Sequence, residues 1–517
     1  MERSYRFIFS LPCAAVLLLV LLLGPTQLFA AWRLADNITE ATLDNGMKIL
    51  VVERHDTPLA FCNLYYGVGS VRERPGITGI SHLLEHMMFK GTKVLGVSDF
   101  AKDDAMNREI DAIAAKLYHE KFWSRQPDPE KIKAWEKQIA AFMAEEKQYI
   151  VKNEYWQTAL AHGATFVNAS TGEDLTGYYL TLPAHKIELQ MLMEADRMQN
   201  SQFREFYSEK EVVREERRMY ENFPDFFFEE QLYAAFFEAS PYSWHVLGWD
   251  CDLQRITRRD VMEHYKTYYA PNNAIAIYVG DLDPDYVIAM ARRYFGPIPR
   301  GKDIEPLRTR EPRQMCRKRA WQGEQARDRV RFLFHAPNLA HDDVAPLMVA
   351  AEILSGENGR LNKMLRDTQG LAVSAESYME PRFYEGIFHV TADLDPASGK
   401  TVADLEAAMH KEINSFASQP PAEQDVTGAR NRLLASFLLD LRQPWEISEP
   451  LARHYFAAGD WRHLQDYLDH LDKVTPADVL RVAGTYLVPT NRTTGVQEKT
   501  ASPATAQPAE IKEAADV

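Results

Sequence analysis

The chain has 517 residues, with 59 Lys and Arg against 74 Asp and Glu, a formal charge of −15. That length leads us to expect roughly two to four domains, and 46% hydrophobic with 26% charged residues excludes a disordered chain. The acidic balance, without a long Lys/Arg run, argues against nucleic acid as a partner, and Gly and Pro follow no period, which excludes collagen-like and low-complexity architectures.

Arg3 and Arg6 precede an apolar run from Leu11 to Leu23, and small residues follow at Ala30 and Ala31. A basic start, a short apolar stretch and small residues at its end describe a secretory signal peptide over residues 1–30, cut after Ala30. The competing reading is a retained membrane anchor, for which the run is marginal in length. Cleavage removes two Arg and one Glu, leaving about −16 on a mature chain that is periplasmic or secreted. Cys13 goes with the leader. Cys62, Cys251 and Cys316 remain, which allow at most one internal disulfide and are not spaced as a metal site.

Strand-like text begins after the turn Asp44-Asn45-Gly46, in Met47 to Val52, and continues in Phe61 to Val68. Ile80 to Phe89 reads as a helix. From a cap at Ser98 or Asp99, Met106, Ile110, Ile113 and Leu117 recur at helical spacing. After the turn at Gln126 to Pro129, Ile132, Trp135, Ile139 and Met143 restart the period. The two runs form a helical hairpin within about 103–160. A strand is expected at Gly177 to Leu182, helices around 186–199 and 205–221, a buried strand at Asn273 to Val279 and a helix at Pro284 to Tyr294. The Pro-rich, charged stretch 299–314 reads as a linker. Beyond it a similar order begins again: strand Arg329 to His335, helices Ala345 to Leu354 and Leu361 to Arg366, strand Ile387 to Thr391, helix Val402 to Phe416. The expected class is α+β, two similar domains over 36–298 and 315–495, each a mixed or antiparallel sheet covered by helices. Residues 497–517, rich in Ala, Pro, Thr and Glu, read as a disordered tail.

The chemically informative stretch is His82-Leu83-Leu84-Glu85-His86. On a helix the two His are one turn apart and share a face, so both imidazoles can reach one Zn²⁺. Glu85 lies at the edge of that face, where a carboxylate can take a proton from water without being a ligand. The bland alternative is a helix with two incidental His. A catalytic zinc needs a third protein ligand and an open position, and the acidic helix from Tyr207 to Tyr220 offers candidates. Glu209 and Glu216 lie on one face, two turns apart. Glu211 and Glu215 read as a solvated, salt-bridged surface. Periodicity alone does not choose between Glu215 and Glu216.

The run Leu43-Asp-Asn-Gly46, Gly69-Ser70 and Gly79-Ile-Ser-His82-Leu-Leu-Glu-His86-Met-Met-Phe-Lys-Gly-Thr92 resembles the opening of a pitrilysin-type zinc peptidase. This is the inverzincin family, which includes mitochondrial processing peptidases, insulin-degrading enzyme and bacterial insulinase-like peptidases. The resemblance continues through Asn168 to Thr171, Glu194 to Met198, Glu209 to Glu216, His245 to Gly248, Tyr269 to Asn273, Val279 to Asp281 and Tyr294 to Pro297. It is looser around Gly359 to Leu361 and Leu365 to Ala372.

The resemblance implies one Zn²⁺ per chain held by His82, His86 and Glu216, with Glu85 as general base and Glu209 supporting the metal site. It also implies an extended substrate added as a strand to a sheet edge near Asn168 and Ala169. The implied fold is half of a clam-shell peptidase. Two departures matter. Glu216 stands much further from His86 than is usual in the family, and the hairpin supplies the excess. Family members also carry an Arg and a Tyr seven residues apart in the opposed half, to hold and polarise the substrate carbonyl. Arg366 fits the first position, but Val373 stands at the second, and Tyr378 is out of register by five. The expected activity is therefore a zinc endopeptidase acting on extended peptides or unfolded segments. Its expected assembly is a heterodimer with a related chain that supplies both Arg and Tyr, or otherwise a homodimer. The competing reading is a catalytically silent member serving as scaffold or partner subunit.

Overall fold

The apolar run after the Asp44-Asn45-Gly46 turn does not alternate, because both faces of its strand are covered. The computed structural model of the chain describes residues 34–323 and 327–499, so the expected leader and most of the expected tail lie outside the described residues. Strands β1 (Ile38–Thr42), β2 (Lys48–Glu53), β3 (Leu59–Tyr66), β4 (Thr165–Thr171), β5 (Thr176–Pro183) and β6 (Ala274–Gly280) form one sheet, ordered β1-β2-β6-β3-β5-β4. A second sheet contains β7 (Lys318–Gln322), β8 (Arg329–Ala336), β9 (Ala372–Glu380), β10 (Gly386–Leu394) and β11 (Arg492–Gln497), ordered β7-β11-β8-β10-β9. β2 pairs with β6, and β7 with β11, in parallel; the other neighbours are antiparallel. Apart from β1, the two sheets share one topology, with the last strand inserted beside the first. The expected pair of similar α+β halves is therefore observed, and β4 and β9 occupy equivalent edges.

Helices α1 (Ile80–Met87), α2 (Phe100–Tyr118), α3 (Pro129–Glu146), α4 (Glu154–Ala161), α5 (Ile187–Asn200), α6 (Phe206–Glu221), α7 (Phe226–Phe236), α8 (Asp250–Arg255), α9 (Arg258–Tyr268) and α10 (Pro284–Tyr294) belong to the first half of the chain, although α7 packs on β7 and β11 of the second sheet. Helices α11 (Val344–Leu354), α12 (Val402–Phe416), α13 (Glu423–Asp440), α14 (Pro444–Ala458), α15 (His463–Leu471) and α16 (Pro476–Tyr486) belong to the second half of the chain.

Alternate residues of β2 serve different cores. Ile49 and Val51 join Leu83 and Leu84 of α1, Met191 of α5 and Val213 of α6. Leu50 and Val52 join Phe61, Ile275 and Ile277 in a core shared with Leu451 and Ala452 of α14. At about 1.5–3 kcal/mol for each fully buried aliphatic side chain, this sheet is held from both sides. Because α14 packs on β3 and β6, the second half is not independent of the first.

The hairpin forms as its periodicity predicts: α2 and α3 pack through Ile110, Ile113, Leu117 and Ile139, with Asp99 capping α2 through Lys102 N–H. A buried ion pair fastens it to the body, Arg204 Nε meeting Asp103 Oδ2 at 2.8 Å. Within the hairpin, Asn107 Nδ2 donates to Glu146 Oε1 at 2.7 Å and ties α2 to α3.

Several expectations change. Residues 362–368 form a wide π-helical turn where an α-helix was expected. β7 and β9 carry too many polar residues to read as strands, because each lies at a sheet edge. The 299–314 segment has no regular structure, yet it is held in place. Glu311 accepts the N–H groups of Glu238, Ala239 and Ser240 at 2.6, 2.8 and 2.8 Å. Gln497, expected to open the disordered tail, ends β11 and is buried, donating to Asp225 Oδ1 at 2.9 Å. Cys62, Cys251 and Cys316 are all free thiols. Among the described residues, no helix is long and apolar enough to cross a membrane.

Candidate metal centre and substrate edge

The start of α1 is built before its histidines matter. Gly79 has φ +86°, and a Cβ there would lie 2.5 Å from the Leu247 carbonyl oxygen. Gly248 has φ +68°, and its Cβ would lie 2.2 Å from the Thr78 carbonyl carbon. The two backbones approach so closely that neither position admits a side chain. Asp252 Oδ2 ties the same loop by accepting from Gly76 N, Thr78 N and Thr78 Oγ1 at 3.0, 3.2 and 2.7 Å. Glu73 accepts the N–H groups of Gly79 and Ser81 at 2.7 and 2.8 Å, satisfying donors that the first turn leaves free. Its burial pushes the carboxyl up to about 7 against those bonds.

One turn apart on this helix, the His82 and His86 rings lie 4.9 Å between centroids. Glu216 reaches them from α6, its Oε2 standing 3.6 Å from His82 Nε2 and 3.4 Å from His86 Nε2. One ligand atom from each of the three lies within 4.8 Å of the others. Two imidazole nitrogens and one carboxylate oxygen suit Zn²⁺ and leave a fourth tetrahedral position open. Glu209, one face-repeat earlier on α6, meets His86 Nδ1 at 3.1 Å. A carboxylate only accepts, so Nδ1 carries the hydrogen and Nε2 keeps its lone pair for a metal. Lys90 Nζ holds Glu209 in turn at 2.5 Å and Glu205 at 3.6 Å.

Electrostatics separate the two histidines. Burial, with His86 beside it, lowers His82 to about 4, so it is neutral and available as a ligand. Burial also opposes charge on His86, but its hydrogen bonds to Glu209 and Glu216 outweigh that and raise it to about 9, so without a metal Nε2 also carries a proton toward Glu216, which a bound cation would displace. Glu85 accepts from Thr171 Oγ1 at 2.6 Å, and burial raises its pKa despite that bond. This suits a group that takes and returns a proton.

Asn168 and Ala169 lie on β4, at the sheet's edge. Ala169 is buried toward α1, whereas Asn168 is exposed and lines a cavity of about 290 Å³ with Glu85, His86 and Phe89. The cavity's other wall is Ile150 to Trp156, from the segment after the hairpin. Among the described residues, Arg366 makes no hydrogen bond or ion pair with this cluster. Its guanidinium bonds to Asp367 and to the Glu357 carbonyl oxygen. Val373 is exposed on β9, and Tyr378 on the same strand stacks on His389 at 4.1 Å, so the phenol expected seven residues after Arg366 has no counterpart there.

Three contributors escaped the sequence reading. Thr171 was legible as two residues beyond Ala169 on the same strand face. Lys90 acts through Glu209 and gave no local signal. Trp156 lies against Phe89, ring centroids 5.3 Å apart, only because the chain returns from the hairpin to this spot. Beneath them Arg197 pairs with Glu194 at 2.6 Å and lies over the rings of Tyr155, Tyr178 and Phe89.

Two sequence profiles match the chain: "Insulinase (Peptidase family M16)" over residues 48–124 and 139–249, and "Peptidase M16 inactive domain" over 255–433. The zinc protease PqqE of Helicobacter pylori is 25% identical over 473 residues, covering 88% of this chain and 91% of its own. A probable mitochondrial-processing peptidase subunit beta of Arabidopsis thaliana is 24% identical over 460 residues, covering 86% of this chain and 75% of its own. Among solved structures, a protease from Helicobacter pylori superposes with a TM-score of 0.72 at 23% identity, covering 89% of this chain and 99% of that one. An M16 inactive domain from Pseudomonas fluorescens gives 0.70 at 16%, covering 90% and 98%. With its doubled α+β topology and His-x-x-Glu-His helix, the chain belongs to the M16 peptidases, the insulinase or pitrilysin-type family.

Proposed function

We propose that the chain is a zinc-dependent endopeptidase that hydrolyses extended peptides or unfolded segments. The observation that carries this reading is the convergence of His82, His86 and Glu216 within 4.8 Å, with the Glu85 carboxylate beside them at the end of the edge strand β4. In this reading His82, His86 and Glu216 hold one Zn²⁺. Zinc in that set supplies Lewis acidity toward water and a peptide carbonyl. Glu85 takes the proton of the attacking water and returns it to the leaving amine, and its raised pKa lets it do both. Glu209 keeps His86 in the ligating tautomer. Substrate main chain pairs with β4 at Asn168 and Ala169, which restricts the substrate to extended segments. Glu216→Ala should lose both zinc and hydrolysis. Glu215→Ala, whose side chain is exposed and paired with Arg218, should keep both. The reverse outcome would move the ligand by one residue.

A second reading is favoured by Val373: this chain alone is silent or slow, and its site is completed by a partner. Losing one oxyanion donor costs roughly a hundred- to thousand-fold in rate. We therefore propose a heterodimer with a related chain that carries both Arg and Tyr, Arg366 being the half of that pair retained here; a homodimer is the alternative. A relative named as a subunit of a processing peptidase supports this direction. Full activity of the purified chain, unchanged by a co-expressed relative, would refute it. We also propose export to the periplasm or beyond, resting on residues 1–30 alone.

A further inference from the structure

At one end of β4, Thr171 touches Glu85; at the other, the ladder to β5 breaks between Thr165 and Asn168. The break is made by Phe166, whose φ of +54° is a left-handed conformation that bulky aromatic residues rarely adopt. The distortion brings its ring against Tyr179 at 5.5 Å and against Trp445, in the first turn of α14, at 5.2 Å. Phe61 lies behind at 6.4 Å. A contact that served only to clasp the two halves would be buried. Here Phe166, on the edge strand itself, stays 53% exposed, and Trp445 40% exposed.

We infer that Phe166 and Trp445 form a substrate subsite, a platform for a large apolar side chain about two to five residues from the bond that is cut. The inference rests on the proposal that substrate adds to β4 as a strand. An added strand turns alternate side chains to the face that carries Phe166, with directly opposed Cβ atoms about 5 Å apart. The residue facing Phe166 therefore meets both rings at once, and aromatic side chains gain most from such offset contacts. The interval follows from the strand rise of about 3.3 Å per residue, counted to Phe166 from Asn168, which lines the cavity at Glu85, and from Thr171. One occupant, the same extended chain that enters the site, accounts for a strained aromatic residue, a broken ladder and two half-open rings.

The test is a series of quenched fluorescent peptides with one Phe moved, position by position, along an Ala/Ser/Lys background. The full zinc-loaded chain is compared with its Phe166→Ala, Trp445→Ala and Phe166→Tyr variants. The expected result is a preference of roughly ten-fold in kcat/KM for Phe over Ala at one position in that interval, carried in KM. Phe166→Ala and Trp445→Ala should erase it there alone, and Phe166→Tyr should keep it. A wild-type profile without such a position, or a uniform loss across all peptides in both alanine variants, would overturn the inference in favour of a clasp between the halves. If the chain alone cuts no peptide, its activity without a partner fails by itself, and the platform is judged by binding. The same peptides are then ranked by binding to the Glu85→Gln chain and to its Phe166→Ala double variant. A Phe ranking lost in the double variant supports the platform, and a flat ranking refutes it.

Discussion

Replacing Glu209 by Gln tests how the metal centre is held without touching a proposed ligand. Glu209 meets His86 Nδ1 at 3.1 Å and Lys90 Nζ at 2.5 Å, and only 14% of its side chain is exposed. The substitution keeps the shape and removes the charge. It turns a charge-assisted bond into a neutral one, a loss of about 1–2 kcal/mol, and weakens the hold on the tautomer that leaves His86 Nε2 free. Partners of this kind change metal affinity by roughly 10- to 100-fold, about 1.4–2.7 kcal/mol. Lys90 retains Glu205 at 3.6 Å, so the site should not collapse. The assay is chelator competition for zinc on the wild type, Glu209→Gln and the exposed control Glu215→Gln. The expected outcome is a zinc Kd raised by that factor in Glu209→Gln alone. An unchanged Kd, or an equal rise in the control, would refute the reasoning.

Two further outcomes concern stability. Burial raises the Glu146 carboxyl to about 7 from an ordinary 4.5, with the Asn107 bond opposing, so the folded chain holds its proton more tightly than the unfolded one. Its contribution is fully present below pH 4.5 and lost as pH rises through 7, by up to about 3 kcal/mol. Glu146→Gln, which keeps an acceptor for Asn107, should therefore gain stability over the wild type between pH 5 and pH 8 in denaturant titrations; a constant difference would refute the cause. Gly248→Ala, at φ +68° with its Cβ 2.2 Å from the Thr78 carbonyl carbon, should lose at least about 2 kcal/mol and weaken zinc binding, measured by chemical unfolding and by metal titration.

The sequence made the helix of the candidate ligands legible because His-x-x-Glu-His is local. A 3.6-residue period alone puts His82 and His86 on one face and Glu85 at its edge. Period alone does not choose between Glu215 and Glu216, since α6 carries glutamates at adjacent positions; in the fold Glu216 turns to the histidines and Glu215 stays exposed beside Arg218. Contacts between distant segments gave no signal. Examples are Lys90 acting through Glu209, Trp156 closing over Phe89 after the hairpin, and α14 crossing to cover the first sheet. The edge strands β7 and β9 hid for a different reason: with one side unpaired, they carry Lys, Arg, Glu and Ser where a central strand carries Val and Ile. Gln497 was misread because composition changes just beyond it, while its own side chain is buried against Asp225.

The most direct test of the central claim is zinc content and peptide hydrolysis measured together on Glu85→Gln. Glu85 stands beside the three converging ligand atoms and bonds to Thr171 without belonging to their set. The expected result is about one zinc per chain, as in the wild type, with hydrolysis abolished. Near-normal turnover would contradict the assignment of Glu85 as the proton carrier, and loss of the zinc would contradict its place outside the ligand set.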